Sequence, residues 1–192
     1  MTNRIPPPSD SDALALRPID RILLDMVALQ AQRAPRRRAL VRYQALPEAV
    51  QRMLNALEPG SYVRPHAHLT PPKVEVFLAL RGRGLVVRFD PRGAILETAV
   101  LTPAGPQHGV EIPPGAWHTA LALEPGTVFY EIKEGPYDPA TDKTLAPWAP
   151  DEADGAAGHT YLADLRRRLH LPPLDPPGPD PATLDEADDD LL

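Results

Sequence analysis

Between Gly60 and Lys133 the chain breaks into short Val-, Leu- and Phe-rich segments separated by Gly, Pro and Asp. They fall approximately at 61–66, 74–80, 84–90, 95–101, 108–112, 117–123 and 127–133. So many short strands with regular turn signals predict a mainly β domain, an antiparallel sandwich or barrel rather than alternating βα units. FDPRG at 89–93 reads as a hairpin turn. The 192 residues suffice for one domain with a sizeable core and appendages.

Before this run, Asp20 is placed to cap a helix on which Ile22, Leu23, Met26 and Leu29 recur at helical spacing, ending before Pro35. APRRR at 34–38 reads as a basic loop, solvated or in contact with an anionic ligand or neighbouring subunit. Leu46, Val50, Met53, Leu54 and Leu57 fit helical spacing, yet the segment runs directly into the Pro59-Gly60 turn. After residue 134, GPYDPATDKTLAPWAP is a Pro-rich excursion expected to pack back through Tyr137 and Trp148, and HTYLADLRRRL at 159–169 is a short helix. The resulting division is a disordered leader over 1–19, a helix and lead-in segment over 20–58, and a β domain over 59–150. A short helix over 151–170 and a disordered acidic, Pro-rich tail over 171–192 complete it.

Charge and residue absences narrow the function. There is no cysteine, which excludes disulfides, thiolate metal sites, iron–sulfur clusters and cysteine nucleophiles. The net charge of −6 is a property of the tail: seven acids lie in 171–192, while 1–170 hold 20 basic and 19 acidic groups. Neither part carries the basic stripe of a nucleic-acid binder. No signal-peptide pattern and no apolar stretch of spanning length are present, so a cytoplasmic protein without a membrane partner is expected.

The chemistry concentrates in VRPHAHLTPPKVEVFLALRG at 63–82 and GVEIPPGAWH at 109–118. Strand alternation puts His66 and His68 on one face, with Tyr62 and Arg64 at the same parity if the strand continues across Pro65. Glu75 shares its face with Phe77 and Ala79, and a Gly-Pro turn delivers His118 onto a new strand. Two imidazoles and a carboxylate already make a ligand set for a divalent transition metal.

These residues resemble the cupin superfamily. Gly60, His66, His68, Glu75 and Gly82 match its first motif, except that six residues precede Glu75 instead of three or four; Pro113, Gly115 and His118 match its second. The upstream Gly of the second motif is out of register, and Ala122 stands where the motif has a later Asn. Lys73 occupies the place that the usual spacing would give to Glu; the loop LTPPKV absorbs the extra residues. The resemblance implies a small jelly-roll barrel with one metal on His66, His68, Glu75 and His118. Such a site suits Fe(II), Mn(II), Ni(II) or Zn(II).

Residues 20–150 are similar, more narrowly, to the WbuC family of cupin-fold metalloproteins, in DRILLDMVALQAQRAPRRR, VQRMLNALEPGSYVRPHAH, PPKVEVFLALRG, GVEIPPGAWHTALALEPGTV and KEGPYDPATDKTLAPWAP. The long spacer is normal in that family, whereas Ala34 and Tyr43 stand where members often carry Ser and His. This likeness implies that Met53–Leu57 is a strand, and a link to bacterial surface-polysaccharide loci.

Arg64 is the candidate for binding a substrate carboxylate or phosphate, against a strand-edge arginine turned to solvent. Tyr62 and Lys133 are the catalytic candidates, with His108 and Glu111 behind them; His108 also fits a solvated loop, Lys133 and Tyr137 a structural cap, and Trp117 core packing. The functional expectation is a metalloprotein that uses one divalent metal on a small oxygenated anionic or sugar-derived molecule, with isomerisation or epimerisation as one candidate reaction. An Fe-dependent dioxygenase and a non-catalytic ligand-binding module are the alternatives. Pairing of cupins through edges or N-terminal segments implies a homodimer.

Overall fold

The computed structural model describes residues 16–174. Most of the leader and the acidic stretch from Asp175 onward lie outside the described residues. Helix α1 (Arg21–Arg33) opens at Asp20, whose side chain accepts from the Leu23 amide at 2.9 Å, and stops at Ala34 ahead of Pro35. Of the anticipated stripe only Leu23 packs inward, half-buried, while Ile22, Met26 and Leu29 stay 70%, 53% and 44% exposed. Val27, Ala28 and Ala31 face inward instead and pack on Val41, Leu54, Ala56 and Val128. Two alanines let the helix approach the sheet closely, which the larger stripe would prevent.

Ten strands follow before helix α2: β1 (Arg38–Arg42), β2 (Val50–Leu57), β3 (His66–Ala67), β4 (Glu75–Arg81), β5 (Gly84–Phe89), β6 (Ile95–Leu101), β7 (Gly109–Ile112), β8 (Trp117–Ala122), β9 (Thr127–Glu134) and β10 (Thr144–Leu145). Among the described residues they form two antiparallel sheets, in the orders β1-β2-β9-β4-β7 and β10-β3-β8-β5-β6. The sheets face each other across a shared core but their ladders are not joined, so the architecture is a two-sheet sandwich in place of the closed barrel expected.

Several boundaries differ from the sequence reading. The basic segment at 34–38 is a loop only as far as Arg37; Arg38 begins an edge strand paired with β2. Charged residues suit such an edge. Residues 61–65 carry no strand, and only His66 and Ala67 pair. Helix α2 (Gly155–Arg168) starts four residues before His159, because Asp154 caps it by accepting from the Ala157 amide. Leu171 and Leu174, assigned to the tail, pack against the cluster beneath α2.

The inner core joins Leu57, Phe77, Ala79 and Phe129 of one sheet to Val86, Leu101, Ala120 and Ala122 of the other. The outer face of the second sheet is covered as well: Leu85, Val87, Phe89 and Leu121 meet Leu162 and Leu165 of α2. Burial on both faces explains why Leu85-Val86-Val87 is apolar without alternation. Trp148 brings the Pro-rich excursion home, its ring tilted against Phe89 at a centroid distance of 5.1 Å and edge-on to Trp117 at 6.5 Å.

Gly84 has no room for a side chain. A Cβ there would lie 2.0 Å from Cζ of Phe129, a ring buried completely between the sheets. Gly84→Ala is therefore expected to cost about 1–3 kcal/mol by overpacking. Chemical denaturation measures it, and a loss under about 0.5 kcal/mol would mean that the Phe129 ring is free to move.

Candidate functional site

His66 on β3 pairs directly with His118 on β8, so backbone register alone brings their rings to a centroid separation of 4.5 Å. Gly115, at φ +78°, makes the turn that carries the chain into β8. From the opposite sheet Glu75, first residue of β4, sits between Ile112 of β7 and Lys133 of β9. The six-residue spacer closes on itself through a bridge between Leu69 and Pro72, which leaves Glu75 in register. The result joins His66, His68, Glu75 and His118, each at most 4% exposed, with their ligand atoms within 4.8 Å of one another.

The ring orientations are determined by carbonyls. Nδ1 of His66 donates to the Arg64 carbonyl at 3.0 Å and Nδ1 of His118 to that of Ala116 at 2.9 Å. Nδ1 of His68 donates to the carbonyl of Asp142. A carbonyl only accepts, so each Nδ1 carries a proton and each neutral ring turns an Nε2 lone pair inward. Glu75 Oε2 adds another acceptor, 2.8 Å from Nε2 of His118 and 3.4 Å from Nε2 of His68. Converging lone pairs in a buried space need a cation, either a metal or a proton.

Electrostatics favour the deprotonated donors. Burial, then the positive charge of Lys143, lowers His66 well below its ordinary pKa. Burial opposes charge on Glu75, but hydrogen bonds from His118 and His68, made when a proton occupies the inward Nε2 positions, outweigh it and hold its carboxyl well below the usual range; a metal would take the place of those protons. The donor set of three imidazoles and one carboxylate therefore fits a divalent transition metal, with coordination positions to spare.

Around these four stands a shell that the sequence reading missed. Glu131 shares inward parity on β9 with Phe129 and Lys133, and it is 6% exposed. Burial and the charge of Glu75 push it up to about 7, while Asn55 Nδ2 donates to its Oε2 at 2.9 Å. Asp142 accepts from Lys133 Nζ at 2.6 Å and from Lys73 Nζ at 3.1 Å, all three groups being buried. One residue thus orients His68 through its carbonyl and bridges two buried ammonium groups through its carboxylate. The available signal for Glu131 was a charged residue at inward parity in FYEIKE; for Asp142 there was none, since a loop brings it across.

Of the other sequence candidates, Lys133 and Arg64 line the same cavity as His66, while Tyr62 and Trp117 pack on the outer side and His108 lies in an exposed loop. Tyr62 lies outside any strand, packs 5.7 Å from Tyr161 and donates to the Pro150 carbonyl, on the outer side beneath α2. Burial, chiefly, raises its pKa far above the ordinary value. Arg64 is committed to the protein, donating to the Ala146 carbonyl at 2.9 and 3.2 Å and to Asp151 at 2.9 Å. Its parity argument depended on a strand through Pro65 that does not form. Lys133 is at the site but tied to Asp142, and burial is outweighed by Glu131, Glu75 and Asp142 so that its pKa is raised. His108 is exposed in a loop, and Trp117 packs on the outer face.

A cavity of about 810 Å³ opens at this edge of the sandwich, with His66, Glu131 and Asn55 in its wall and β1 along its side. A smaller one of about 170 Å³ reaches His118 from the β6–β7 edge, where Glu111 also lines it. No helix among the described residues is long and apolar enough to cross a membrane.

The family described as a domain of unknown function, DUF6016, matches residues 19–101. No curated protein sequence matches the chain. Among solved structures, the capsular polysaccharide assembling protein CapF from Staphylococcus aureus is 21% identical, with a TM-score of 0.47 over 55% of this chain and 28% of CapF. KdgF from Halomonas sp. is 18% identical, with a TM-score of 0.43 over 55% of this chain and 84% of its own. TT1209 from Thermus thermophilus is 24% identical at a TM-score of 0.41, covering 53% of this chain and 87% of its own.

Proposed function

We propose that the chain is a cupin-type metalloprotein of the WbuC kind, holding one divalent transition metal on His66, His68, Glu75 and His118. The observation that carries this reading is the convergence of their donor atoms within 4.8 Å, buried, with every histidine Nδ1 held by a carbonyl. The cupin-like ligand spacing and the two facing antiparallel sheets support it. In this reading the protein is a metal-dependent isomerase or epimerase acting on a small oxygenated anion or sugar derivative.

A metal bound there would supply Lewis acidity to a substrate oxygen. The chain's own residues do the rest. Glu131, oriented by Asn55 and with a pKa raised to about 7, holds or takes the proton that must move beside the polarised oxygen. Lys133, kept charged by Asp142, contributes a positive field rather than a proton. The four ligands are themselves buried, and a substrate would reach them through the cavity that has His66 and Glu131 in its wall.

Purified protein is expected to hold about one equivalent of divalent metal per chain. His66→Ala combined with His118→Ala should abolish it while circular dichroism and cooperative unfolding persist, because the apolar core lies apart from these rings. Equal metal in wild type and double variant would refute the site.

A further inference from the structure

The cavity beside the proposed metal centre is rich in basic side chains, but most of them are already used. Arg36 and Arg38 bind Glu152 at 3.0 and 2.6 Å, Arg64 binds Asp151 at 2.9 Å, and Lys133 binds Asp142 at 2.6 Å. Two cations in the same wall differ. Among the described residues no carboxylate pairs with Arg42, whose guanidinium lies 4.5 Å over the Tyr137 ring and meets only the Met53 sulfur, at 3.7 Å. Lys143, also in the wall, makes no contact ion pair among them, although the charges of Glu131 and Glu75 act on it from farther away. Arg42 reaches the cavity because β1 is a strand: Arg38, Leu40 and Arg42 alternate toward it, while Ala39 and Val41 pack under α1.

A half-buried guanidinium stacked on an aromatic ring is held in a defined place with its donors unsatisfied. With a lysine in the same wall and Asn55 and Glu131 at the base, the set matches an anionic oxygen group at one end of a ligand and hydroxyls at the other. A volume of about 810 Å³ lies within the ordinary range for a small-molecule site.

We propose that Arg42 and Lys143 form the anion-recognition wall of this cavity, selecting a small polyhydroxylated anion of the sugar-acid or sugar-phosphate type. This rests on the metal-centre reading for the other end of the ligand, not for the wall itself. Any carboxylate-bearing or phosphate-bearing sugar shares the chemistry, so the probes must separate them.

The test is calorimetric titration of galacturonate, glucose 6-phosphate and neutral glucose into the full chain, metal-loaded and metal-stripped, as wild type and as Arg42→Gln with Lys143→Gln. One anion should bind the metal-loaded wild type at least about tenfold more tightly than glucose, and the double variant should lose about that factor. The double variant should still take up about one equivalent of metal, since neither side chain belongs to the four-residue cluster and removing the Lys143 charge that acts on His66 favours a cation there. Stronger binding of galacturonate assigns a carboxylate, and of glucose 6-phosphate a phosphate. Anion selectivity in a wild-type chain that takes up no divalent metal even when it is supplied in excess would support the wall while overturning the metal reading. Metal bound normally with equal affinities for glucose and both anions, or with unchanged anion affinity in the double variant, would overturn the wall and leave the metal reading standing.

Discussion

Asp142→Ala is expected to destabilise the protein by about 3–5 kcal/mol, the cost of leaving a buried charge without its partner. Lys73 and Lys133 are 4% and 3% exposed, and both ammonium groups make their contact ion pair with this one carboxylate, with Glu131 and Glu75 acting on Lys133 from farther away. Lys73 retains the Pro136 carbonyl at 2.7 Å, which does not neutralise it. The same change should weaken metal binding about 10–100-fold, because the segment whose carbonyl orients His68 loses its anchor. Asp142→Asn keeps the shape and should show the charge loss with less disturbance of the loop. Urea unfolding of the three proteins, with metal content measured in parallel, is decisive. A variant within about 1 kcal/mol of wild type would show that the two lysines are not held as charged groups.

The triad also sets a pH signature. Burial raises the Asp142 pKa, but Lys133 and Lys73 outweigh it and the net shift is downward. Its contribution is therefore complete above the unfolded value of about 3.9 and is lost as pH falls through the lower folded value. Lys133 is shifted upward, so its contribution is complete below about 10.4 and lost as pH rises further. Stability relative to Asp142→Asn should thus be level between about pH 4 and pH 10 and decline on both sides.

Glu75→Gln is expected to reduce metal affinity by more than about 100-fold, exceeding the effect of losing any supporting hydrogen bond. Glu75 is the anion among four donors, and the amide would face three ring nitrogens with no charge to offer. Competition against a chromophoric chelator at neutral pH measures the change; a loss under about tenfold would place the carboxylate outside the coordination sphere. In the wild-type chain, metal should be retained on acidification to about pH 6, where ordinary histidines are mostly protonated. His66 is already neutral well below that range in the metal-free fold, so it does not compete with the metal for a proton. Release with a midpoint at or above about pH 6.5 would contradict this.

Local pattern carried much of the architecture. The Asp20 cap, the Pro35 stop and the alternating segments between residues 74 and 134 correspond closely to α1 and β4 through β9. The helical stripe failed because periodicity reports that a helix is amphipathic without deciding which side meets the sheet. Small residues won that choice, as Ala28 and Ala31 allow close packing. The edge strand β1 was hidden because Arg38 and Arg42 suit an exposed loop as well as a sheet edge.

The same division runs through the site. Residue type, two-residue spacing and the turn before His118 were enough to nominate His66, His68, Glu75 and His118, because alternation on a strand is a local property. Tertiary structure alone decided that Asp142 would sit against His68, 74 residues away, that Glu131 would face Glu75, and that Arg42 would be left without a carboxylate while Arg64 was not. Those outcomes depend on which strands pair and which loops fold across them, and short-range sequence pattern contains no term for either.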